Sequence, residues 1–199
     1  MIIGICGLQG VGKDTLADIL CERHGYLRLS FAGVLKDVCG ALFGWDRTML
    51  EGRTAAARLE REAVDEWWSR RLGIPGFTPR LALQLIGTDV MRNHFHDQIW
   101  VAALERRLML NPRVVITDCR FPNEMAMIRA AGGQIIHVQR GAEPAWVSAY
   151  KNEGIVPTAV HSSEYVWMEE RFDHIVKNDG SLADLEAAAE EILKRSNPC

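Results

Sequence analysis

The sequence carries almost no excess of charge of one sign. Its 23 lysines and arginines nearly balance its 26 aspartates and glutamates, which leaves a formal net charge of -3. Proteins that bind nucleic-acid polymers or anionic membrane surfaces usually concentrate basic residues. We therefore expect neither partner, and any recognition of phosphate must be local.

Closely paired cysteines are also lacking. The five cysteines are odd in number and widely spaced, without a C-x-x-C pair that would indicate zinc or redox chemistry. They are Cys6, Cys21, Cys39, Cys119 and Cys199. Reduced thiols in the cytoplasm are the better interpretation. The apolar start Met1–Cys6 has no basic region and is too short for a signal peptide or a membrane span, so we do not expect secretion.

Several well-defined catalytic signatures are missing. The six histidines show no H-E-x-x-H or similar metal spacing, and His137 and His161 are interpreted as ordinary polar residues. The sequence supports no Ser/His/Asp or Cys/His arrangement, and it has no N-K-x-D motif for reading guanine. No internal repeat or low-complexity tract is visible. The chemistry must therefore come from another kind of site.

Short apolar segments alternate with helical patterns along the chain. With 199 residues, 48% of them apolar and 25% charged, we expect a single domain over 1–199. The predicted strands are Ile2–Cys6, Tyr26–Phe31, Arg113–Asp118, Gln134–Gln139 and His174–Val176. The predicted helices are Lys13–Arg23, Val34–Phe43, Thr54–Arg71, Pro79–Phe95, Gln98–Leu110, Asn123–Ala131 and Leu182–Lys194. The alternation predicts an α/β protein, with a parallel sheet covered by helices on both faces.

A phosphate-binding loop is predicted directly after the first strand. Gly7-Leu8-Gln9-Gly10-Val11-Gly12-Lys13 matches G-x-x-x-x-G-K between a predicted strand and a predicted helix, the context that this motif requires. Glycines let the backbone curl so that successive N–H groups point at phosphate, and the helix N-terminus adds the positive end of its dipole. Lys13 would supply a cation for the β- and γ-phosphates of a nucleotide. A glycine-rich turn with an exposed lysine is the simpler alternative.

The motif departs from the usual pattern at one position. Asp14 follows Lys13, where a serine or threonine commonly supplies a hydroxyl to magnesium, and Thr15 comes one residue later. Magnesium keeps several waters in such sites, so Asp14 could hold it through a water, or Thr15 could approach it. Both are candidate ligands of Mg²⁺.

A second acidic strand end is predicted at Asp118. Ligands of open α/β sheets bind outside the carboxyl ends of the strands, which makes Asp118 a candidate partner of magnesium. Arg120 is close enough in sequence to meet a transferring phosphoryl group and stabilise its developing charge. The alternatives are a helix cap for Asp118 and a surface ion pair for Arg120, with Asn123 the better candidate for the cap.

Residues that could bind the acceptor of the phosphoryl group lie at helical spacing in the middle of the chain. Arg80 and Gln84 are one α-helical turn apart, as are Gln84 and Thr88, and Asp89 and Arg92 follow. Arginine can grip a monophosphate through two hydrogen bonds and glutamine can pair with a base edge, a mixture that suits a nucleotide. A charged, solvated helix face is the alternative.

Two further candidates flank the start of the second predicted helix. Phe31 could stack on a base, although an apolar core position is the more frequent fate of such a residue. Lys36 would face the acceptor in a nucleotide kinase. The adjacent Trp67 and Trp68 pose the same choice as Phe31, and packing is favoured for them.

Taken together, these residues resemble the bacteriophage deoxynucleoside monophosphate kinases, a branch of the P-loop nucleoside monophosphate kinases. The combination is specific, whereas each piece alone is not. The matching stretches are Gly12-Lys13-Asp14-Thr15, Ala32 with Lys36-Asp37, Arg80 with Gln84, Gly87-Thr88-Asp89, Asn93, Trp100, Asp118 with Arg120, Glu124, His137-Val138 with Arg140, and Asn178-Asp179-Gly180-Ser181-Leu182. The form G-K-D-T resembles that family's own variant of the phosphate loop.

The resemblance implies an activity and a set of site residues. The family phosphorylates dTMP, dGMP and a cytosine deoxynucleotide with ATP and Mg²⁺, often as a homodimer. By this resemblance the loop 7–15 would hold ATP, while Arg80, Gln84 and Asp89 would line the acceptor pocket. Arg120 and Arg140 would meet phosphates during transfer, and the turn containing Asn178 and Gly180 would pass the adenine.

We therefore predict a three-layer P-loop NTPase fold with a five-stranded sheet, a helical acceptor-binding insertion and a lid. The acceptor-binding region is placed at about 32–96 and the lid at about 140–165, because the latter stretch shows little periodicity. Two other activities fit the same scaffold: a kinase of another small metabolite, such as dephospho-coenzyme A, and a nucleotide-hydrolysing switch. A P-loop protein that binds nucleotide without catalysis is the third alternative.

Overall fold

The structure is a computed structural model that describes residues 1–109 and 111–196. The chain divides into two compact units. One consists of Met1–Ser30 together with the chain from Leu104 onward, and the other is Phe31–Ala103. The second unit covers the stretch for which the sequence predicted an acceptor-binding helical region at about 32–96.

The first unit contains a parallel sheet of five strands in the order β2-β3-β1-β4-β5. The strands are β1 Ile2–Cys6, β2 Leu27–Leu29, β3 Val114–Ile116, β4 Gln134–Gln139 and β5 His174–Lys177. The prediction of a five-stranded parallel sheet is confirmed, although β2 and β3 are shorter than predicted. The first strand is central: Gly4 is in register with Ile116 of β3 and with Ile135 of β4.

Helices and short turns connect the strands. The α-helices are α1 Lys13–His24, α2 Ala32–Phe43, α3 Arg47–Glu51, α4 Ala55–Glu62, α5 Glu66–Leu72, α6 Pro79–Gln84, α7 Ile99–Leu108, α8 Pro122–Ala130, α9 Ala145–Glu153 and α10 Leu182–Ser196. A π-helix covers Leu85–Phe95, and 3₁₀ turns cover Ser162–Glu164 and Val166–Glu169. The last residue of the predicted helix Gln98–Leu110 lies outside the described residues.

The core of the first unit explains why the apolar segments form strands. Ile3 and Ile5 of β1 and the branched side chains of β3 and β4 are fully buried, as expected of parallel strands covered on both faces. One cluster joins Ile3 and Ile5 of β1 with Leu16 and Leu20 of α1 and Ile192 of α10. These contacts fix the carboxyl end of β1 against the start of α1, where the phosphate-binding loop lies.

The second unit differs from the sequence prediction at two places before α6. The predicted helix Thr54–Arg71 is two helices, because the backbone is extended at Ala63 and Asp65 begins a new helix by accepting a hydrogen bond of 3.0 Å from Trp68 N. The short helix α3 was not predicted. Asp46 caps it by accepting from the backbone N–H of Thr48 at 2.8 Å.

The predicted continuous helix Pro79–Phe95 changes its winding after Gln84. The π-helix is marked at its end by a hydrogen bond of 2.8 Å from His96 N to Met91 O, five residues back. Its backbone hydrogen bonds therefore join residues five apart, and its turn is wider than that of an α-helix. Gln84 directly precedes the π-helix, and its wider turn places both Thr88 and Asp89 about one turn after Gln84.

Three further expectations concern the lid segment, the cysteines and membrane-spanning helices. The segment predicted as a lid contains the regular helix α9, which its weak periodicity did not indicate. Cys6, Cys21, Cys39 and Cys119 form no disulfide among the residues described, and Cys199 lies outside them. Within 1–109 and 111–196, no helix has both the length and the apolar character needed to cross a bilayer.

Candidate active site

The loop between β1 and α1 is held in a conformation that only glycine adopts easily. Gly7, Gly10 and Gly12 have φ angles of +141°, +81° and +100°. A Cβ atom on Gly7 would lie 2.4 Å from the carbonyl oxygen of Val138 in β4, whereas one on Gly10 would meet nothing within 4 Å. Gly7 is therefore required by close packing on the sheet, and Gly10 by its backbone angle alone.

Asn178 braces this loop from the other end of the chain. It follows β5, and its own N–H donates to Gln139 O at 2.8 Å. Its side-chain Nδ2 donates to the carbonyl of Val11 at 2.9 Å. The packing is tight, because a Cβ atom on Gly12 would lie 2.2 Å from Asn178 Nδ2. Asn178 was predicted to bind the cofactor, and the structure gives it a supporting contact to the loop.

Gly180, also predicted at the cofactor, lies in the turn that starts α10. A Cβ atom on it would lie 2.5 Å from Asp184 Oδ2. That carboxylate accepts hydrogen bonds of 2.7 Å from both the N–H and the hydroxyl of Ser181. The glycine therefore makes room for the carboxylate that caps the helix.

Lys13 folds back over the loop that precedes it. Its Nζ donates to the carbonyls of Gly7 at 2.8 Å and Leu8 at 2.6 Å. Burial, and next the positive charge of Arg120, lower the pKa of Lys13 to about 8, while Asp14 and Glu164 oppose the shift. The ammonium group is thus partly desolvated and lies within electrostatic range of Arg120, as expected of a cation that handles phosphate.

The two residues after Lys13 differ in their surroundings. Asp14 is exposed but forms an ion pair with Arg28 of β2, whose other terminal nitrogen binds Asp18 Oδ1 at 2.8 Å. Thr15 is exposed on the first turn of α1. One carboxylate oxygen of Asp14 is therefore engaged by a cation, whereas Thr15 faces solvent.

The carboxyl end of β3 brings an acid to the same edge of the sheet. Asp118 accepts a hydrogen bond of 2.7 Å from the hydroxyl of Ser30, which follows β2. The N-cap of α8 is Phe121, so neither Asp118 nor Asn123 begins the helix. Both helix-cap interpretations are therefore wrong, and Asn123 lies within the first turn.

Arg120 is held at two points. A carboxylate oxygen of Glu124 accepts from the backbone N–H of Arg120 at 2.7 Å and of Phe121 at 3.1 Å. Glu124 is only 2% exposed. The guanidinium of Arg120 donates from Nη1 to Glu164 Oε1 at 2.6 Å and to Ser163 O at 3.3 Å. Arg140, the other predicted phosphate contact, is exposed directly after β4.

The candidate acceptor residues belong to the second unit. Phe31, predicted to stack on a base, is 3% exposed, and this burial agrees with the alternative of a core position. Lys36 Nζ lies 2.7 Å from Glu51 Oε2, and Arg47 pairs with the other oxygen of Glu51. Although burial favours the neutral acid, the positive charges of Lys36 and Arg47 prevail and lower the pKa of Glu51.

The helix face predicted to read the acceptor is only partly exposed. Arg80 Nη1 lies 3.7 Å from Glu62 Oε1. Gln84, Thr88 and Asp89 are each partly buried, and Arg92 donates from Nη1 to Asp97 O at 3.0 Å. The indole of Trp100 donates to Gly87 O at 2.8 Å, which anchors the middle of the π-helix.

Sequence reasoning missed several residues that shape the site. Ser30, Ser163 and Glu164 gave no local signal, because their partners Asp118 and Arg120 are remote in sequence, and Glu51 was missed together with the unpredicted helix α3. Glu124 was named only as part of the family resemblance, although an acidic residue three positions after a helix N-cap is also the pattern of a capping box. Its partners, however, are the N–H groups that place Arg120.

As a whole, the arrangement suits an anion that carries several charges. The loop 7–13, Lys13 and Arg120 gather N–H groups and cations at the carboxyl edge of β1 and β3. Thr15 and Asp118, which lie close in sequence to Lys13 and Arg120, carry oxygen atoms that could bind a hard cation. Among the described residues no cluster of three or more His, Cys, Asp or Glu side chains forms a complete metal site. Such a cation would need oxygen atoms from the bound anion and water.

Comparison with known proteins gives a consistent picture. The sequence model of the deoxynucleotide monophosphate kinases matches residues 75–189. A putative deoxynucleotide monophosphate kinase of Acanthamoeba polyphaga mimivirus is 33% identical over 156 residues, which cover 70% of this chain and 74% of that protein. A deoxynucleoside-5'-monophosphate kinase of Escherichia phage T5 is 46% identical over 182 residues, covering 65% of this chain and 72% of that protein.

Among solved structures, a dephospho-CoA kinase from Campylobacter jejuni is similar to this chain. It is 17% identical with a TM-score of 0.47, and the match covers 98% of this chain and 97% of that one.

Proposed function

This chain belongs to the deoxynucleotide monophosphate kinase family, and from that premise we propose that it transfers the γ-phosphoryl group of ATP to a deoxynucleoside 5′-monophosphate. It is a phosphotransferase that acts on nucleotides. The proposed products are ADP and a deoxynucleoside diphosphate, with dTMP, dGMP and a dCMP-type nucleotide as acceptors. We place the reaction in the cytoplasm, which for a phage-encoded enzyme is that of the host.

The phosphate-binding loop is the observation that carries the proposal. Three left-handed glycines curl it, Val138 and Asn178 pack against it, and α1 begins where it ends. A triphosphate would gain hydrogen bonds from loop N–H groups and from the start of α1. Lys13 would exchange the carbonyls of Gly7 and Leu8 for phosphate oxygens, and this exchange would restore its full charge.

In the proposed reaction an oxygen of the acceptor phosphate attacks the γ-phosphorus of ATP. A new P–O bond forms as the bond between the γ-phosphorus and the β–γ bridging oxygen breaks, and ADP leaves with that electron pair. No proton has to move when the acceptor phosphate is a dianion. Lys13, Arg120 and Arg140 would act by positioning and by stabilising the developing charge.

A magnesium ion fits the oxygen donors at this edge of the sheet. Thr15 and Asp118 would hold it together with phosphate oxygens and water, and Asp14 would contribute through a water, because Arg28 already engages its carboxylate. When bound, the ion would neutralise charge on the β- and γ-phosphates. Ser30 would keep the carboxylate of Asp118 oriented through its hydrogen bond.

The acceptor is assigned to the second unit. Arg80 would bind its phosphate, while Gln84 and Asp89 would read the base or sugar, since the wide turn of the π-helix leaves Asp89 close to one turn after Gln84. Thr88 and Lys36 complete the proposed acceptor set, whereas Phe31 is left out of it because its ring is buried. The turn with Asn178 and Gly180 would pass the adenine of ATP, and closure of the lid at about 140–165 would exclude water and suppress hydrolysis. Assembly as a homodimer is part of the same proposal.

A panel of acceptors tests the proposal directly. Purified protein is given ATP and Mg²⁺ with each deoxy- and ribonucleoside monophosphate and with dephospho-coenzyme A, and ADP release is coupled to a detection reaction. We expect turnover with one or more deoxynucleoside monophosphates and little without an acceptor. Turnover with dephospho-coenzyme A alone, or ATP hydrolysis that no acceptor changes, would reject the proposal in favour of the metabolite kinase or the switch.

A further inference from the structure

The guanidinium of Arg120 is bound by a turn of the segment predicted as the lid. Its Nη1 donates to Glu164 Oε1 at 2.6 Å and to the carbonyl of Ser163 at 3.3 Å. The side chains of Arg120 and Glu164 are 35% and 19% exposed, so water only partly screens the ion pair. Hydrogen bonds between charged groups are stronger than neutral ones, and this pair is therefore more than an incidental surface contact.

The backbone of Arg120 is fixed by a different carboxylate. Glu124 accepts from Arg120 N at 2.7 Å and from Phe121 N at 3.1 Å, and it is buried. The position of the Arg120 backbone is thus set independently of Glu164. Glu164 therefore controls where the guanidinium points, not where the residue lies.

Glu164 is also within electrostatic range of Lys13. The two groups interact strongly enough for Glu164 to counteract part of the effect of burial on Lys13. One carboxylate thus faces both cations that the proposed reaction would use. A carboxylate oxygen and a phosphoryl oxygen accept hydrogen bonds from the same guanidinium donors, so they compete for Arg120.

We propose that Glu164 is a positioning residue. Its carboxylate occupies the guanidinium donors of Arg120 that a phosphoryl group would otherwise bind, and it releases them when the nucleotide binds. This inference rests on the proposed function, which assigns Arg120 to the transferring phosphate. Since Ser163 and Glu164 belong to the proposed lid, the exchange would also release the lid from Arg120 at the step in which phosphate binds.

The test replaces Glu164 by glutamine, which keeps the shape and can still accept one hydrogen bond but removes the charge that competes with phosphate. ATP binding in the presence of Mg²⁺ is measured by isothermal titration calorimetry. We expect Glu164→Gln to bind ATP about fivefold more tightly than the unmodified protein, because Arg120 no longer has to leave a carboxylate. Glu164→Ala should change affinity in the same direction, and thermal unfolding checks that both variants fold.

Glu170→Gln is the matched control. Glu170 lies in the same stretch of chain and pairs with Arg129 at 3.0 Å, and the two side chains are 27% and 34% exposed. Removing this carboxylate should leave ATP affinity within about twofold. Tightening of the same size in the control would show that any loss of negative charge from this segment has the effect, and would overturn the proposal.

A double-mutant cycle separates exchange at Arg120 from simple repulsion between Glu164 and phosphate. In an Arg120→Gln background, Glu164→Gln should no longer tighten ATP binding. Tightening that persists there, or unchanged or weaker binding in the single variant, would overturn the proposal.

The acceptor panel distinguishes a failure of the proposed function from a failure of the Glu164 proposal. A protein that binds ATP but phosphorylates no nucleotide would refute the proposed function while leaving the Glu164 result as measured. A protein that binds no ATP would refute both.

Discussion

Asn178 fastens the turn after β5 to the phosphate-binding loop, because its side-chain amide donates a hydrogen bond of 2.9 Å to the carbonyl of Val11 across 167 residues of sequence. The loop is therefore supported by the last strand of the sheet as well as by β1. This support has no counterpart in the local sequence motif.

Removing the Asn178 amide should weaken ATP binding. Asn178→Ala deletes a hydrogen bond worth about 1 kcal/mol, so we expect the KM for ATP to rise about five- to tenfold with a smaller change in kcat. Steady-state kinetics measure both. Asn111→Ala is the control, since that amide also donates to a backbone carbonyl, Arg107 O at 3.0 Å. An unchanged KM in Asn178→Ala would show that the loop holds its shape without this bond.

Gly12 should not tolerate a side chain. A Cβ atom would lie 2.2 Å from Asn178 Nδ2 at a φ of +100°, so Gly12→Ala should lower ATP affinity by more than about tenfold. Gly25→Ala is matched to it, because Gly25 has a φ of +67° and a Cβ atom there would meet nothing within 4 Å. That variant should lose about 1 kcal/mol of stability and keep its ATP affinity. Equal affinities in calorimetric titrations of the two variants would contradict the prediction.

Lys13 should be required for activity while lowering the stability of the folded protein. Lys13→Met removes the cation assigned to the β- and γ-phosphates, and we expect transfer to fall by about a thousandfold or more. The same change removes a charge whose burial lowers its pKa, so the free energy of unfolding should rise by about 1 kcal/mol. Urea unfolding and the coupled assay give the two values. Lys194→Met, on the exposed face of α10, should alter neither, and near-normal transfer by Lys13→Met would reject the assignment.

His137 should make the protein sensitive to acid. Burial in β4, beside Trp167 and Phe172 at ring-centroid distances of 5.1 Å and 4.6 Å, lowers the pKa of His137 from 6.5 to about 4, with Glu143 opposing the shift and Lys151 and Lys13 adding to it. The unfolded chain therefore binds a proton at a higher pH than the folded chain does. Stability should fall as pH drops from 6.5 towards 4, by about 1–2 kcal/mol from this residue.

The prediction for His137 is tested by comparing how the free energy of unfolding depends on pH in two proteins. Urea unfolding of the unmodified protein and of His137→Gln is followed between pH 8 and pH 4.5. The difference in their free energies of unfolding should be constant above about pH 7 and should shift in favour of the variant below pH 6.5. Parallel curves over the whole range would show that His137 does not carry the acid sensitivity.

The parts of the fold that depend on neighbouring residues could be predicted from the sequence. Ile2–Cys6, the glycine loop and Lys13–His24 form one local unit, and each of its signals lies within a few residues of the structure it determines. The same holds for Gln134–Gln139, whose Ile135, Ile136 and Val138 are β-branched, and for the end of α2 at Gly44. Asp118 and Arg120 could be placed at or just beyond the carboxyl edge of the sheet because the first ends a predicted strand and the second closely follows it.

The parts that depend on distant partners could not be predicted. Nothing near Arg28 or Asp14 indicates that they pair, and the partners of Asp118 and Arg120 arrive from β2 and from the 3₁₀ turn Ser162–Glu164. The π-helix was misread because four-residue spacing is the default for a helix, and no residue type specifies five-residue spacing. The break between α4 and α5 is not predicted because Thr54–Arg71 has a helical pattern throughout, within which the capping role of Asp65 gives no separate signal.

The central position of β1 affects the order in which this protein can be assembled during synthesis. During synthesis β1 leaves the ribosome well before its partners, because the strands on either side of it begin only at Val114 and Gln134. Until then an apolar, β-branched segment remains available for pairing with other chains. The nascent protein should accordingly depend on chaperones at this stage and acquire nucleotide affinity only after β3 and β4 have been made.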